Sequence, residues 1–379
     1  MPRELSTHWE GGLALDFHQR DNAVRDVIAY AQENPLDAIL AVDDSGSLLA
    51  AMASDTLGLL HNSTDATEAA RNKFRMRQLL QEAQLPSPIC RQYTTADDPN
   101  QIAQETTFPC VVKPLSLNGS RGVIRANDIH ELLLAIKRST RLLRSLQGPD
   151  LPLPFLVESY IPGIEVALEG LMDNGRLRVL ALYDKPDPLE GPFFEETIYI
   201  TPSRLSTQTQ DTIKLCTSQA AKALGLRTGP IHAELRLNEQ GPWIVEIAGR
   251  SIGGLCSQTL QFGTDTSLEE LILRQACGLN INSLEQIQDA RGVMMIPIPG
   301  SGLLRDVEGI EEAEATPLIE KVEITAHLNY PLVPLPEGDG YLGFIFARGP
   351  TPDLVESALR MAHEKLVFKI DLLLPMITH

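Results

Sequence analysis

Hydrophobic and polar positions alternate strictly along residues 231–237, a pattern typical of a half-buried β-strand. The alternation places His232, Glu234 and Arg236 on one face and aliphatic side chains on the other. Such a strand packs its aliphatic face against a core and leaves three ionisable groups in a row on the opposite face. The polar face is therefore where chemistry is expected.

A second apolar run, at 243–247, predicts the partner strand of a β-hairpin. If the loop has three residues, 239–241, with its glycine in the left-handed conformation, Glu234 lies directly opposite Glu246. Like charges placed so are destabilising, and hard carboxylate oxygens suit a divalent cation such as magnesium. The pair is a candidate metal site. The alternative is two solvated glutamates on an exposed hairpin face.

Helical and strand patterns alternate along the rest of the chain. Near the start, the pattern predicts a buried strand at 38–42 and one uninterrupted helix at 64–83. A proline-rich break at 148–154 indicates a linker, and the part after residue 291 is rich in strand patterns. At 379 residues, two or three domains are expected.

Bulk composition narrows the class of protein. A formal net charge of −18 argues against nucleic-acid binding, which requires a basic patch. The five cysteines form no CxxC pair, so neither a zinc site nor a disulfide framework is indicated. The N-terminal residues lack the apolar segment of a secretion signal, and no apolar run has the length of a membrane span. A cytoplasmic protein without a membrane partner is expected.

A polar, glycine-bearing loop follows Lys113 and joins two predicted strands. Small residues in such a loop let backbone N–H groups approach anionic oxygens closely, and a lysine adds a point charge. The loop opens no helix, so it is neither a P-loop nor a dinucleotide-binding fingerprint. An ordinary hairpin turn is the alternative. The loop's small residues are Ser116, Gly119, Ser120 and Gly122.

Four features, in this order, resemble the ATP-grasp superfamily of carboxylate–amine ligases. They are a lysine at 73, the lysine and glycine-bearing loop that begins at 113, the run Val157-Glu158-Ser159-Tyr160-Ile161-Pro162-Gly163-Ile164-Glu165, and the paired glutamates. The resemblance covers residues 65–260 strongly and the flanks loosely. It implies an α+β ATP-grasp fold.

The resemblance also implies roles for individual residues in binding ATP. Lys73 and Lys113 would reach the phosphates, and the loop Ser116–Gly122 would close over them. Glu158 would accept a hydrogen bond from the adenine amino group, and Glu165 would hold the ribose hydroxyls. The backbone at Tyr160 and Ile161 would contact the adenine edge. For the two glutamates, the alternative is a pair of solvated strand residues.

One departure from the superfamily pattern concerns the residues after the second glutamate. Family members often continue it as Glu-x-Asn with a ligating asparagine, but this chain has Ala248, which cannot ligate. The spacing from Glu246 to Arg250 resembles the dipeptide-forming L-amino-acid ligase branch, in which the arginine grips the transferred phosphate. A guanidinium binds phosphate oxygens in a two-pronged manner. A buried structural arginine is the alternative.

A long loop at 183–197, punctuated by proline and glycine, carries charges and two adjacent phenylalanines. Such loops are often lids or binding loops. We expect it to cover the acceptor site, with Lys185 and Glu196 gripping the carboxylate and amine of a substrate. His232 is a further candidate for this site or for supporting Glu234. A structural loop and an ordinary strand histidine are the alternatives.

These features predict four parts: an N-terminal α/β lobe at 1–70, a mobile lid with its linking helix at 71–154, a catalytic subdomain at 155–290 and a β-rich extension at 291–379. The chain starts with a polar stretch where related ligases have a glycine-rich strand–turn–helix. The first lobe is therefore expected to be short by one βα unit.

The resemblance predicts an ATP-dependent ligase that joins a carboxylate to an amine through an acyl phosphate, on amino-acid-like substrates. ATP and Mg²⁺, or Mn²⁺ in its place, are the expected cofactors, and a homodimer is compatible with this prediction. One alternative resembles biotin carboxylase or the formate-dependent purine transformylase. The other is a nucleotide-binding protein that has lost catalysis.

Overall fold

The protein is described by a computed structural model over residues 12–17, 19–115, 117–148, 151–263, 266–281 and 289–372. Among these residues, no helix combines the length and apolarity needed to cross a lipid bilayer. The helices are α1 Arg20–Glu33, α2 Asp44–Leu57, α3 Thr64–Arg71, α4 Lys73–Glu82, α5 Pro99–Glu105, α6 Ile129–Gln147, α7 Thr207–Leu224, α8 Leu268–Ala276, α9 Ile310–Glu314 and α10 Pro352–His363.

The strands form two principal sheets and two small ones. They are β1 Cys90–Thr94, β2 Cys110–Pro114, β3 Ile124–Ala126, β4 Pro154–Ser159, β5 Ile164–Asp173, β6 Arg176–Asp184, β7 Ile198–Thr201, β8 Gly229–Asn238, β9 Gly241–Ala248, β10 Gln261–Phe262, β11 Thr266–Ser267, β12 Ala290–Ile296, β13 Gly302–Glu308, β14 Ile319–Ile324, β15 Pro331–Leu332, β16 Gly343–Gly349 and β17 Val367–Leu372.

The N-terminal part differs from the prediction in two places. Residues 38–42 form no strand, and Val42 is 92% exposed. A strand needs a partner, and the described residues before β1 contain no other strand. The predicted helix at 64–83 is broken at Asn72, whose side chain accepts hydrogen bonds from the N–H groups of Phe74 and Arg75 and so starts α4. This break places Lys73 in the first turn of a new helix.

The first principal sheet has four antiparallel strands in the order β1-β4-β2-β3 and packs against α6. Its strand β4 begins at Pro154, so the predicted boundary at 154/155 falls within this sheet and not after it. Cys110, Val112, Phe155 and Val157 join the buried side chains of α6 in one hydrophobic core. We refer to residues 90–159 as the lid subdomain.

The second principal sheet has eight strands in the order β14-β16-β12-β7-β6-β5-β8-β9. One face of β5 and β8 packs on α7 through Val166, Leu168, Ile231 and Leu235. The predicted alternation is confirmed, because the opposite face carries His232, Glu234 and Arg236. Strands β12, β14 and β16 belong to the predicted C-terminal extension, yet they continue the same sheet. A separate sheet, β15-β13-β17, completes that extension.

Candidate active site

Glu234 and Glu246 lie directly opposite each other on β8 and β9, as predicted for the hairpin. The route to this register differs from the predicted one. The hairpin closes at Asn238 and Gly241 on a two-residue loop, which alone would shift the pairing by one residue. A β-bulge between Glu234 and Leu235 absorbs that shift and restores the opposition.

A lysine donates a hydrogen bond to each of the two glutamates, in both cases to the Oε1 atom. Lys73 Nζ donates to Glu246 Oε1 at 3.3 Å, and Lys185 Nζ donates to Glu234 Oε1 at 2.9 Å. The Tyr199 hydroxyl also donates to Glu234 Oε1, at 3.3 Å. None of these donors occupies the Oε2 atom of either glutamate. Two carboxylates at opposed strand positions supply the hard oxygen ligands that a divalent cation such as Mg²⁺ prefers.

Lys185 lies in the centre of a carboxylate cluster formed by Glu165, Glu196 and Glu234. Its Nζ is 2.9, 2.5 and 2.9 Å from their oxygens, and only 3% of its side chain is exposed. Burial raises the pKa of Glu196 to about 8, and the neighbouring charge of Glu234 acts in the same direction. Burial opposes ionisation of Glu234 as well, but Lys185 holds the pKa of that carboxyl well below its usual range.

Lys185 and Glu196 were predicted to grip the substrate, and the structure instead brings them into contact with each other and with Glu234. The residues predicted for the acceptor site, Lys185 and Glu196, and the predicted metal ligand Glu234 therefore belong to one hydrogen-bonded network. A substrate role for the two residues stays a prediction.

His232 connects Glu234 to a second, fully buried carboxylate, Glu169. The His232 Nδ1 is 3.1 Å from Glu169 Oε2, and its Nε2 is 3.6 Å from Glu234 Oε1. Burial opposes protonation of His232, but the hydrogen bond to Glu169 raises its pKa to about 9. Glu169 also accepts hydrogen bonds from the backbone N–H of Ile252, at 3.1 and 3.2 Å. This arrangement favours the predicted supporting role over direct contact with substrate.

Arg250 follows β9 and points its guanidinium toward the N-terminal part. Its Nε donates to Asp44 Oδ2 at 2.9 Å, and its Nη1 donates to the backbone oxygen of Ser251 at 2.9 Å. Burial opposes protonation, but Asp44, with Glu246 and Glu234 next, raises the pKa of Arg250. The arginine thus follows the strand that carries Glu246 while it is hydrogen-bonded to a different carboxylate, Asp44.

The glycine-bearing loop is held at its C-terminal end. Ser116 lies outside the described residues. Gly122 N–H donates to Pro336 O at 2.7 Å, and the Gly122 oxygen accepts from the buried Ser139 hydroxyl at 3.1 Å. The φ angles of Gly119, Ser120 and Gly122 are +61°, +56° and +73°, a left-handed region that favours small residues. The loop therefore has a tip at 118–120 and an anchored end.

We predict that the backbone amides of 118–120 exchange quickly in the free protein and become protected when ATP binds, because the tip makes few contacts of its own. The Gly122 amide, bonded to Pro336, should be protected in both states. Hydrogen exchange with and without ATP measures this difference. Equal protection of the tip in both states would make it a structural turn, and Gly122 serves as the internal control.

Glu158 lies at the centre of a buried ion cluster. It accepts two hydrogen bonds from Arg77, at 2.8 and 3.2 Å, and its Oε2 is 2.9 Å from Lys113 Nζ. Arg77 also donates to the backbone oxygens of Ile244 and Val245, so it joins α4, β4 and β9. Burial would raise the pKa of Glu158, but Arg77 and Lys113 lower it to about 2. The contact of Glu158 with adenine stays a prediction. If it forms, the same carboxylate would also be bonded to Arg77 and Lys113.

Replacing Arg77 with methionine should lower the free energy of unfolding by about 3–5 kcal/mol, because it leaves a buried carboxylate with only one partner. Urea denaturation at pH 7 measures the change. Arg75 on the same helix is a matched control, since its partner Glu82 is 3.9 Å away and both side chains are largely exposed. Arg75→Met should change stability by less than about 0.5 kcal/mol.

Acid sensitivity provides a second measurement of the same cluster. The pKa of Glu158 is about 2 in the folded protein, against 4.5 for an ordinary glutamate. Its stabilisation is therefore present above about pH 4.5 and is lost as the pH falls toward 2. Arg77→Met should flatten the pH dependence of stability in this window. A variant as stable and as acid-sensitive as the unmodified protein would contradict the role of Arg77.

The other residues assigned to adenosine lie next to Arg236, which is buried on the polar face of β8. Arg236 donates to Glu165 at 2.9 Å, to the Tyr160 hydroxyl at 2.8 Å and to the Ile161 oxygen at 2.9 Å. A cavity of about 450 Å³ opens beside Tyr160 and Ile161 and is lined on its other side by Trp243. The Trp243 indole nitrogen has no hydrogen-bond partner among the described residues. The cavity is suitably placed for the adenine edge, and the assignments stay predictions.

The loop at 183–197 reaches across to the lid subdomain. Phe193 packs against the lid core, and the Arg138 guanidinium lies 4.8 Å from the centre of its ring. The Pro192 oxygen accepts a hydrogen bond from the Arg125 N–H at 2.9 Å. The loop therefore connects Lys185 in the carboxylate cluster to the subdomain that carries the glycine-bearing loop.

Sequence patterns did not identify several residues of this site. Asp44, Arg77, Glu169 and Tyr199 all bind predicted site residues from distant parts of the chain. Arg236 could have been found, because it shares the polar strand face with Glu234. The others carry no local signal, since ordinary periodicity describes their positions equally well.

Comparison with protein families and known proteins gives two matches along the chain. A family model described as ATP-grasp domain matches residues 106–259, and a model described as L-amino acid ligase C-terminal domain 2 matches residues 294–371. Alanine–anticapsin ligase from Bacillus subtilis is 27% identical over 275 residues, covering 68% of this chain and 57% of that protein. The chain spans about six tenths of the length of the first curated relatives it matches.

Solved structures give a likeness over nearly the whole chain. L-amino acid ligase from Bacillus licheniformis superposes with a TM-score of 0.80 at 27% identity, covering 94% of this chain and 86% of that one. A carboxyaminoimidazole ribonucleotide synthase from Aspergillus clavatus, complexed with ATP, superposes with a TM-score of 0.71 at 17% identity, covering 96% and 88%. At that identity the second likeness concerns the fold alone.

Proposed function

We propose that the chain, whose residues 106–259 match an ATP-grasp domain and whose residues 294–371 match an L-amino acid ligase C-terminal domain, is an ATP-dependent ligase that joins a carboxylate to an amine. The reaction would proceed through an acyl phosphate, on amino-acid-like substrates. The predicted α+β ATP-grasp fold is confirmed by the same comparisons. The relatives are named as ligases, which supports this class of activity.

The observation that carries the proposal is the pair of opposed glutamates, with Lys73 and Lys185 hydrogen-bonded to them and Arg250 following the strand of Glu246. Phosphoryl transfer needs little covalent chemistry from a protein and depends on positioning and charge stabilisation. Magnesium, when bound by Glu234 and Glu246, would offset the charge of the ATP phosphates. The opposed positions of the two carboxylates on β8 and β9 support that role.

In the proposed reaction, a substrate carboxylate oxygen attacks the terminal phosphorus of ATP, and ADP leaves. The nitrogen of an amine then attacks the acyl carbon, and inorganic phosphate leaves as the amide forms. Arg250 would stabilise the transferring phosphoryl group through two parallel hydrogen bonds. Lys73, which donates to Glu246 and to the Leu117 oxygen of the glycine-bearing loop, would contact phosphates from the lid side.

Closure of the lid subdomain would protect the acyl phosphate from water. The loop at 183–197 supports this role, because it packs on the lid and ends in the carboxylate cluster. A single movement of the lid would thereby be transmitted to Lys185 and Glu196 beside the reacting groups.

A screen of substrates tests the proposal. The purified protein is incubated with ATP and Mg²⁺ and pools of amino acids, and ADP release is measured together with the mass of any amide product. ADP release that depends on amino acids, with a matching amide, is the expected result. Release that depends on bicarbonate or formate would indicate a carboxylase-like or transformylase-like enzyme. Binding of ATP without turnover under all conditions would indicate loss of catalysis.

A further inference from the structure

Asp44 and Arg250 form an ion pair between two parts of the molecule that lie 206 residues apart in sequence. The side chains are only 13% and 16% exposed. We propose that Asp44, on helix α2, is a positioning residue that holds the guanidinium of Arg250 toward the transferred phosphoryl group. The inference rests on the proposed ligase function and adds to it a residue from outside the ATP-grasp domain.

The hydrogen bonds of Arg250 leave one edge of its guanidinium available. A guanidinium has five N–H donors, and Asp44 takes the one on Nε while Ser251 O takes one on Nη1. Among the described residues, no hydrogen bond involves the remaining three donors. These lie at the terminal nitrogens, the part of the group that binds phosphate oxygens in a two-pronged manner. Asp44 thus fixes the inner edge and leaves the outer edge for a ligand.

Two other carboxylates compete for this arginine. Glu246 lies on β9, the strand that leads to Arg250, and Glu234 is opposite Glu246 across the hairpin. Both glutamates also raise the pKa of Arg250, after Asp44. Without Asp44, the side chain would be drawn onto these glutamates. In that position it would compete with a metal cation for their oxygens and would leave the phosphoryl group without its partner. The negative charge of Asp44 offsets that attraction.

The residue before Asp44 offers a matched control. Asp43 is the N-cap of α2, and its side chain accepts hydrogen bonds from the N–H groups of Ser45, at 2.7 Å, and Gly46, at 3.4 Å. Asp43 therefore builds the start of the helix, while Asp44 in the first turn faces Arg250. Asparagine caps a helix about as well as aspartate, so Asp43→Asn removes the same charge and keeps the cap.

The test compares Asp44→Asn with Asp43→Asn in the full chain. Four quantities are measured: kcat of ADP release, the affinity for Mg²⁺ and ADP with aluminium fluoride (a mimic of the transferring phosphoryl group), the affinity for Mg²⁺ and ADP alone, and the melting temperature. Asp44→Asn should lower kcat and the affinity with aluminium fluoride by ~10- to 100-fold, because a misplaced group loses its transition-state contact. Its affinity for Mg²⁺ and ADP alone should stay unchanged, while its melting temperature should fall, because Arg250 loses the partner of a largely buried ion pair. Asp43→Asn should lose far less kcat and aluminium fluoride affinity than Asp44→Asn, because the Asp43 charge acts on Arg250 only weakly and the hydrogen bond to Arg250 comes from Asp44.

A double variant separates positioning from a structural role. If Asp44 acts through Arg250, Asp44→Asn should lower kcat no further in an Arg250→Lys background. Additive losses, or an Asp44→Asn protein that binds aluminium fluoride as tightly as Asp43→Asn does, would overturn the inference and leave the ligase proposal intact. If Asp44→Asn fails to fold, Asp44→Glu replaces it and should show a partial loss.

Failure of the proposed function gives a different result. An unmodified protein that binds no ADP and shows no affinity for the aluminium fluoride mixture would overturn the ligase proposal, and the role of Asp44 with it. The measurement on the unmodified protein therefore comes first.

Discussion

Replacing Glu246 with glutamine is expected to abolish ATP turnover while nucleotide affinity stays within about tenfold, or ~1.4 kcal/mol. Glutamine keeps the size of the side chain and an oxygen that accepts from Lys73. It removes the negative charge that opposes Glu234 across the hairpin. The residues assigned to adenine and ribose lie on β4, on β5 and in the link between them, so their contacts remain.

Coupled measurement of ADP release and calorimetric titration with ATP and Mg²⁺ separate these two effects. Asp173→Asn is a suitable control, because it removes one charge from an exposed position at the end of β5 in the same sheet. This control should turn over ATP at the rate of the unmodified protein. Near-normal turnover by Glu246→Gln would contradict a metal-binding role for the opposed glutamates.

Replacing Arg250 with lysine is expected to lower kcat by on the order of 10²-fold or more, with little change in the KM for ATP. Lysine keeps the positive charge but cannot donate to Asp44 and Ser251 while presenting two parallel donors to phosphate. Arg250→Ala should be more severe. A loss confined to kcat indicates an interaction that is made chiefly in the transition state.

Steady-state kinetics and melting temperatures distinguish this role from a structural one. Both variants should remain folded with ordinary melting temperatures, and Arg227→Lys, at an exposed position, should behave as the unmodified protein. If Arg250→Lys were fully active while Arg250→Ala mainly lost stability, the arginine would be a structural link to α2. The likeness to dipeptide-forming ligases would then lose its most specific residue.

The opposed glutamates show how far local patterns can be followed. Alternation alone placed Glu234 on the polar face, and that prediction is correct. The predicted loop length of three residues was wrong, since the loop has two. The predicted register is nevertheless observed, because of a bulge that the sequence did not indicate. A bulge depends on how the strand packs on its neighbours, which no pattern within the hairpin records.

The N-terminal part shows where local patterns fail. An aliphatic run at 38–42 has the composition of a strand, but strand formation depends on a partner elsewhere in the chain. Asn72 illustrates the opposite case, since its capping preference could have been recognised within an otherwise helical pattern. The composition of a segment indicates which secondary structure it favours, and tertiary contacts decide whether that structure forms.

Charged residues of the site were only partly predictable for a related reason. Those that share a strand with Glu234 follow from its alternation, as His232 and Arg236 do. Arg77 and Asp44 are recognised only by their partners, which lie 81 and 206 residues away in sequence. A buried charge is stable only with its partner, so its identity as a site residue is a property of the fold.

Continuity of the eight-stranded sheet limits how proteins of this kind can recombine. Strand β12 pairs with β7 on one side and with β16 on the other, so backbone hydrogen bonds cross from the catalytic part into the C-terminal extension. In a chimera joined between these two parts, β12 of one parent would have to pair with β7 of the other. Exchange of the C-terminal part alone is therefore disfavoured, because β7 and β12 must remain compatible with each other.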